Sequence, residues 1–154
     1  MSQVTFQQYA WRNVRAAAIL TNAYVAGTVL GVPTNDNVPQ QDGRVVADPV
    51  EDLNFLAIEY DFTKGSLTDA QVQIEFSDDN STFYVVQKGT VSAGVDTMTP
   101  FVIKVSADSK GYVNVNAECF SGAPFKTRYI RISAIGTGTV TSSSLALKAV
   151  IGVA

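Results

Sequence analysis

The chain has 154 residues, enough for one domain and too few for two of ordinary size. Only 16% of the residues are charged, the formal net charge is −3, and there is one cysteine and no histidine. No cluster of Lys and Arg could follow a phosphate backbone, so we expect no nucleic-acid partner. Cys119 has no second cysteine for an internal disulfide, and the weakly charged surface favours a protein that works in an assembly.

The N-terminal segment lies outside any alternating pattern. We predict an extended arm over residues 1–15, followed by a single domain over residues 16–154. The arm contains Phe6, Tyr9 and the only tryptophan, Trp11. Aromatic side chains bury large apolar areas in contacts, so we expect these three to bind a partner subunit. The alternative is that the arm folds back and Trp11 caps its own domain.

A weakly apolar stretch over residues 16–32 follows two basic residues, Arg12 and Arg15, and superficially resembles a signal peptide. Polar residues interrupt it, and it is too short and too polar to span a bilayer. We therefore predict a β-strand over residues 18–30 and no role for a membrane.

A long polar connection follows over residues 32–49. It contains three of the five prolines and no pattern that would fill a core. Connections of this length are uncommon in compact domains and are usually functional or disordered. We expect it to reach a partner through amide side chains: Asn35, Asn37, Gln40 and Gln41.

The rest of the chain alternates between polar and apolar residues. Val72, Ile74 and Phe76 are separated by polar residues and must share one face of a strand. Similar runs, separated by turn residues at 63–66, 77–81, 92–94, 109–111 and 136–138, predict strands near residues 53–62, 71–76, 83–87, 101–105, 112–117, 129–134 and 145–151. About eight strands predict an all-β fold, an antiparallel β-sandwich or jelly roll.

The residue types leave little catalytic chemistry. Without histidine there is no Ser-His-Asp or Cys-His catalysis and no His-bound zinc. A pair of carboxylates could still hydrolyse a glycosidic bond, with Glu59 and Asp61, or Glu75 and Glu118, as candidates. The neighbours of the first pair, Tyr60 and Phe62, have the pattern of apolar residues that is typical of a buried core. We therefore predict no enzymatic activity, no cofactor and no small-molecule substrate.

Two groups of residues offer side chains that small ligands bind. Asp78, Asp79 and Asn80 could supply oxygen ligands to calcium, but these residue types favour tight turns, and the glycine and distal glutamate of a calcium loop are missing. A sugar would need exposed aromatic residues on one sheet face. The candidates occupy polar-facing positions: Tyr84, Tyr112 and Tyr129.

Four blocks of sequence together show a resemblance: residues 56–68 (LAIEYDFTKGSLT), 72–79 (VQIEFSDD), 128–134 (RYIRISA) and 136–140 (GTGTV). They resemble small β-sandwich structural proteins of tailed bacteriophages that are encoded with the capsid and head genes. The resemblance covers about residues 50–154 and consists of strands and turns, with no shared contact motif. Head decoration proteins of this kind are commonly small jelly rolls or barrels with extended arms, and form trimers on the shell.

The resemblance implies a virion structural protein, made in the host cytoplasm and placed on the capsid surface. Its expected partners are the major capsid protein and its own copies, as a homotrimer. Two alternatives remain: a carbohydrate- or receptor-binding module of the phage tail, and a head-completion or tail-tube subunit.

Overall fold

The computed structural model of the protein describes residues 11–31, 55–115 and 127–152. Every element in these ranges is a β-strand and every pairing is antiparallel, so the predicted all-β class is confirmed. The strands are β1 (Arg12–Ala18), β2 (Val25–Ala26), β3 (Leu30–Gly31), β4 (Phe55–Thr63), β5 (Leu67–Ser77), β6 (Tyr84–Val85), β7 (Gln87–Ser92), β8 (Val95–Pro100), β9 (Val102–Val105), β10 (Ser109–Asn114), β11 (Tyr129–Gly138) and β12 (Ser144–Gly152).

Two sheets contain all the described strands except β7 and β8. The first sheet has the order β1-β12-β4-β10. In the second, β11 and β5 are central neighbours, β2 and β3 pair with β11, and β6 and β9 pair with β5. The pairing is nested along the chain: β1 with β12, β2 and β3 with β11, β4 with β10, and β5 with β9. The described strands therefore form one long antiparallel ribbon that is folded across itself, with β7 and β8 near its tip.

The two sheets share one apolar core. Val72 and Ile74 of β5 lie opposite Ala134 and Ile132 of β11, and all four are buried, as the alternation predicts. The first sheet contributes apolar side chains from β1, β4 and β12: Val14, Leu56, Ile58, Phe62, Leu145, Leu147, Ala149 and Ile151. Fully burying a large apolar side chain stabilises the fold by about 1.5–3 kcal/mol, so this cluster is the main source of stability.

The N-terminal strand differs from the prediction. A strand was expected over residues 18–30, after an arm over residues 1–15, but β1 already begins at Arg12, and Val14 is buried in the core. The pairing of β1 with β12 has irregularities on both sides of Arg15. Such bulges break the two-residue period, which is why the sequence pattern does not reveal this strand.

Two predicted turns lie inside strands. Residues 109–111 belong to β10, which is shifted towards the N-terminus from the predicted 112–117, and residues 136–138 belong to β11. Gly111 faces the ring of Tyr60, whose hydroxyl would lie 3.1 Å from a Cβ at that position. Gly136 likewise faces the side chains of Leu67 and Leu20. These glycines make room for large neighbours, and do not mark turns.

Candidate functional site

Strands β7 and β8 form a hairpin that stands apart from the two sheets of the described structure. All its strand residues are exposed, and the two strands pair in register over their full length. Ala93 and Gly94 join them with φ angles of 52° and 75°. Two successive residues with positive φ form the turn whose twist best matches a two-residue hairpin. The turn predicted at residues 92–94 is confirmed, and it joins two strands that the alternation does not predict.

Each face of the hairpin carries exposed apolar side chains among polar ones. Val91 is 74% exposed and Met98 is 58% exposed, and both share one face with Gln87, Gly89, Asp96 and Pro100. The Met98 sulfur lies over Gly89, only 3.1 Å from where a Cβ would be. Methionine adapts its shape readily to a partner surface. On the opposite face, Val95 lies among polar side chains: Lys88, Thr90, Ser92, Thr97 and Thr99.

The base of the hairpin is anchored in the core. Val86 and Phe101 flank it, and both are buried. The Val86 N–H donates to the Ile74 carbonyl (2.8 Å), and the Phe101 N–H donates to the Val86 carbonyl (2.9 Å). A two-stranded hairpin by itself is marginally stable in water. A hairpin with a fixed base and exposed apolar side chains is a surface suited to contact with another chain.

The predicted partner-binding residues lie mostly outside the described ranges. Only Trp11 is described, and it is 44% exposed, directly before β1. Its role in binding a partner remains a prediction, and a truncation that tests the arm has to end before Arg12 so that β1 stays whole. The other residues fall outside the described part of the chain: Phe6, Tyr9, Asn35, Asn37, Gln40 and Gln41.

The first pair of candidate catalytic carboxylates lies on the outer face of the first sheet. Glu59 and Asp61 are exposed and border a shallow depression of about 380 Å³, together with Lys110 and Tyr112. The Lys110 ammonium lies 3.2 Å from the Asp61 carboxylate. A general acid at neutral pH usually needs apolar surroundings, and this open face does not supply them. Residues 56–58 of β4 are all buried, whereas Glu59 and Asp61 are exposed, so this strand is covered on both faces only near its start.

Only one member of the second candidate pair is described. Glu118 lies outside the described ranges, and Glu75 is held by Arg131 in the second sheet. The Arg131 Nε and Nη2 donate to the two Glu75 carboxylate oxygens at 2.8 and 3.1 Å, and the Ser133 hydroxyl donates at 2.7 Å. The Arg131 guanidinium also lies 4.0 Å from the centre of the Phe83 ring. A carboxylate engaged by three donors is arranged for structure rather than for proton transfer.

Stability is expected to fall in acid and to stay constant near neutral pH. Burial by itself would raise the pKa of Glu75, but the hydrogen bonds from Arg131 and Ser133 lower it further than burial raises it. The hydrogen bond from Thr137 is the main cause that lowers the pKa of Asp69, whose carboxylate also lies 3.3 Å from the Lys104 ammonium. A carboxylate with a lowered folded-state pKa stabilises the fold above its unfolded value of about 4, and this contribution is lost as the pH falls.

Calorimetry between pH 3 and pH 8 checks this expectation. The melting temperature should be flat from about pH 6 to pH 8, since the chain has no histidine, and should drop steadily below about pH 5. A steep change between pH 6 and pH 8 would instead indicate a carboxylate with a strongly raised pKa and would revive the enzyme hypothesis.

The acidic loop after β5 is organised as a turn. One Asp79 oxygen accepts hydrogen bonds from the N–H groups of Ser81 (2.9 Å) and Thr82 (2.8 Å) and from the Ser77 hydroxyl (3.0 Å). These bonds lower the pKa of Asp79, with Thr82 the largest cause. Among the described residues, no three acidic, histidine or cysteine side chains come together as metal ligands would. The geometry agrees with a turn for residues 78–80.

The three tyrosines considered for sugar binding lie on different surfaces. Tyr112 is 74% exposed on β10 in the first sheet, whereas Tyr84 and Tyr129 belong to the second. Within that sheet, Tyr84 pairs with Phe76 and Tyr129 pairs with Ser77, and these neighbouring positions on β5 point to opposite faces. The three rings therefore do not form the common aromatic strip that the carbohydrate alternative requires.

Comparison with protein families and with curated proteins gives no match to this chain. Within the described ranges, no helix has the length and hydrophobicity needed to cross a membrane. The site therefore has to be interpreted from its own geometry.

Proposed function

We propose that the protein is a bacteriophage virion structural protein, in particular a capsid decoration protein that binds the major capsid shell and its own copies. The observation that supports this most is the β7–β8 hairpin, which exposes Val91, Val95 and Met98 although the core does not need them. A protein that works alone gains nothing from exposed apolar side chains on such a hairpin, and they add a risk of aggregation.

The order of the strands supports the finer assignment of a jelly roll. If β2 and β3 count as one strand and β5 is followed by β9, the described part of the chain has eight strand positions. Position one pairs with eight, two with seven, three with six and four with five. A jelly roll is an antiparallel ribbon of this kind folded into two sheets. In this numbering the hairpin is an insertion between positions four and five.

The proposed mechanism involves contacts and no reaction. The hairpin would bury Val91 and Met98 against a neighbouring subunit, and the aromatic residues of segment 1–15 would add to the contact. Each such interface is small, but repetition over a shell raises the overall attachment through avidity. The proposed location is the outer surface of the capsid, and the proposed oligomer is a trimer.

Replacing residues 87–100 with the two-residue link Asn-Gly tests the proposal. The Phe101 N–H already bonds to the Val86 carbonyl, so a short turn can close this gap. We expect the shortened domain to melt within a few degrees of the natural one, because the removed strand residues are exposed. It should no longer bind phage particles that have been stripped of the protein, as measured by co-sedimentation.

The matched control is Lys88→Ser, which keeps Val91, Val95 and Met98 and should bind as the natural chain does. Mass spectrometry of purified particles should find the chain in a fixed ratio to the major capsid protein. Its presence only in isolated tails would favour the tail alternatives, and its absence from particles would refute a virion role.

A further inference from the structure

A depression on the outer face of the first sheet brings one aromatic ring and three charged side chains together. Tyr112 of β10 lies opposite Glu59 of β4, and Lys110 lies opposite Asp61. All four are exposed. Residues two apart on a strand point to the same face, about 7 Å apart, so the four side chains stand at the corners of a rectangle. They border a volume of about 380 Å³, which is within the range of small-ligand sites.

The floor of the depression is formed by regular sheet. Gly111 and Tyr60 make the cross-strand pair between the two pairs that face outward, and the Tyr60 side chain packs against the core. Strands β10 and β4 pair without interruption from Ser109 to Asn114. The spacing of the four outward side chains is therefore set by the sheet before a ligand arrives, which lowers the cost of binding.

The charges on this face are balanced. The Lys110 ammonium lies 3.2 Å from the Asp61 carboxylate, and Lys148 of β12 lies opposite Glu59 on its other side. Two ammonium groups thus accompany two carboxylates, so neither an anion nor a cation gains much from the face as a whole. Tyr112 is 74% exposed and leaves an aromatic surface beside these donors and acceptors. The combination suits a neutral ligand that has both hydroxyl groups and an apolar face.

We infer that this depression binds one neutral sugar ring, a hexopyranose. The C–H groups on a face of such a ring pack on the aromatic ring of Tyr112. Its hydroxyls donate hydrogen bonds to the carboxylates of Glu59 and Asp61 and accept one from the Lys110 ammonium. A strip of aromatic rings is required for a chain of sugars, whereas one terminal sugar needs a single ring. The inference does not depend on a place in a virion.

A titration followed by NMR tests the inference. The ¹⁵N-labelled chain is titrated with methyl β-glucoside and, separately, with methyl β-galactoside. Each is taken to about 100 mM, because an open site this small should bind in the millimolar range. At least one glycoside should give saturable shifts, and the amide signals that move should belong to β4 and β10 around Gly111. No saturable shift with either glycoside, or shifts confined to other strands, would overturn the inference.

Two variants at Tyr112 show whether the ring carries the binding. Tyr112→Ser should raise the dissociation constant at least about tenfold, whereas Tyr112→Phe keeps the ring and should stay within about threefold of the natural chain. The matched control is Tyr84→Ser, since Tyr84 is 70% exposed but lies on β6 in the second sheet. This control should bind as the natural chain does. Equal losses for Tyr84→Ser and Tyr112→Ser would contradict the assignment.

A cation is the competing occupant, because the face of a tyrosine ring and nearby carboxylates also attract positive charge. Choline chloride, titrated over the same range, is the probe for it. Saturable shifts around Gly111 with choline and none with either glycoside would overturn the sugar assignment. Sugar binding by a chain that is absent from phage particles would refute only the proposed function. A chain present in particles at a fixed ratio, but without sugar binding, would refute only this inference.

Discussion

Gly27→Ala should lower the free energy of unfolding by about 3 kcal/mol or more, which corresponds to a fall in melting temperature of about 6–12 °C for a chain of this size. The Gly27 N–H donates to the Ile132 carbonyl of β11, and the next residue, Thr28, donates to the Val14 carbonyl of β1, both at 2.8 Å. These two residues therefore join the two sheets. A methyl group on Gly27 would lie 2.3 Å from the Val14 oxygen, and only a movement of main chain could relieve that overlap.

Gly31→Ala is the matched control. Gly31 also lies next to β11, but no atom lies within 4 Å of a Cβ at this position. Its substitution should change the free energy of unfolding by no more than about 0.5 kcal/mol. Thermal unfolding of both variants by circular dichroism makes the comparison. Equal melting temperatures would mean that the junction between β1, Gly27 and β11 relaxes without cost.

Arg131→Met should cost about 3 kcal/mol at pH 7. The change leaves the Glu75 carboxylate, 9% exposed, without its charged partner in the second sheet. Removing one member of a buried ion pair is strongly destabilising, because the remaining charge is desolvated and unpaired. The introduced methionine side chain would keep much of the apolar volume next to the Phe83 ring. The loss in free energy of unfolding should therefore come mainly from the unpaired Glu75 charge. The difference from the natural chain should narrow as the pH falls towards 3, since Glu75 then becomes protonated.

Two further variants make this result specific. Adding Glu75→Gln to Arg131→Met should recover most of the lost stability, because the Ser133 hydroxyl can still donate to the amide oxygen. Lys110→Met breaks the exposed pair with Asp61, whose side chains are 79% and 53% exposed, and should cost less than about 1 kcal/mol. Chemical denaturation at pH 7 compares all three. Similar losses for Arg131→Met and Lys110→Met would mean that water reaches Glu75 freely.

The sequence alone determined the fold class and the absence of any chemistry that needs histidine. Val72 and Ile74 alternate with polar residues, and because a strand has a two-residue period this pattern is legible without any partner. The absence of histidine likewise follows from composition. For the hairpin, the sequence supplied only a turn signal at residues 92–94. Its strands are short, rich in threonine and exposed on both faces, so they have no apolar alternation to detect.

Only the tertiary structure decided what covers each face. Alternation places Glu75 on the outer face of β5, yet it is buried, because Arg131, 56 residues later, pairs with it. Gly27 is indispensable only because β1 and β11 meet there, and Val14 belongs to the core only because a bulged strand pairs with β12. A local pattern fixes the direction of a side chain. The neighbour that it meets depends on contacts between distant parts of the chain, and the hairpin is a candidate site because the described structure places no such neighbour against it.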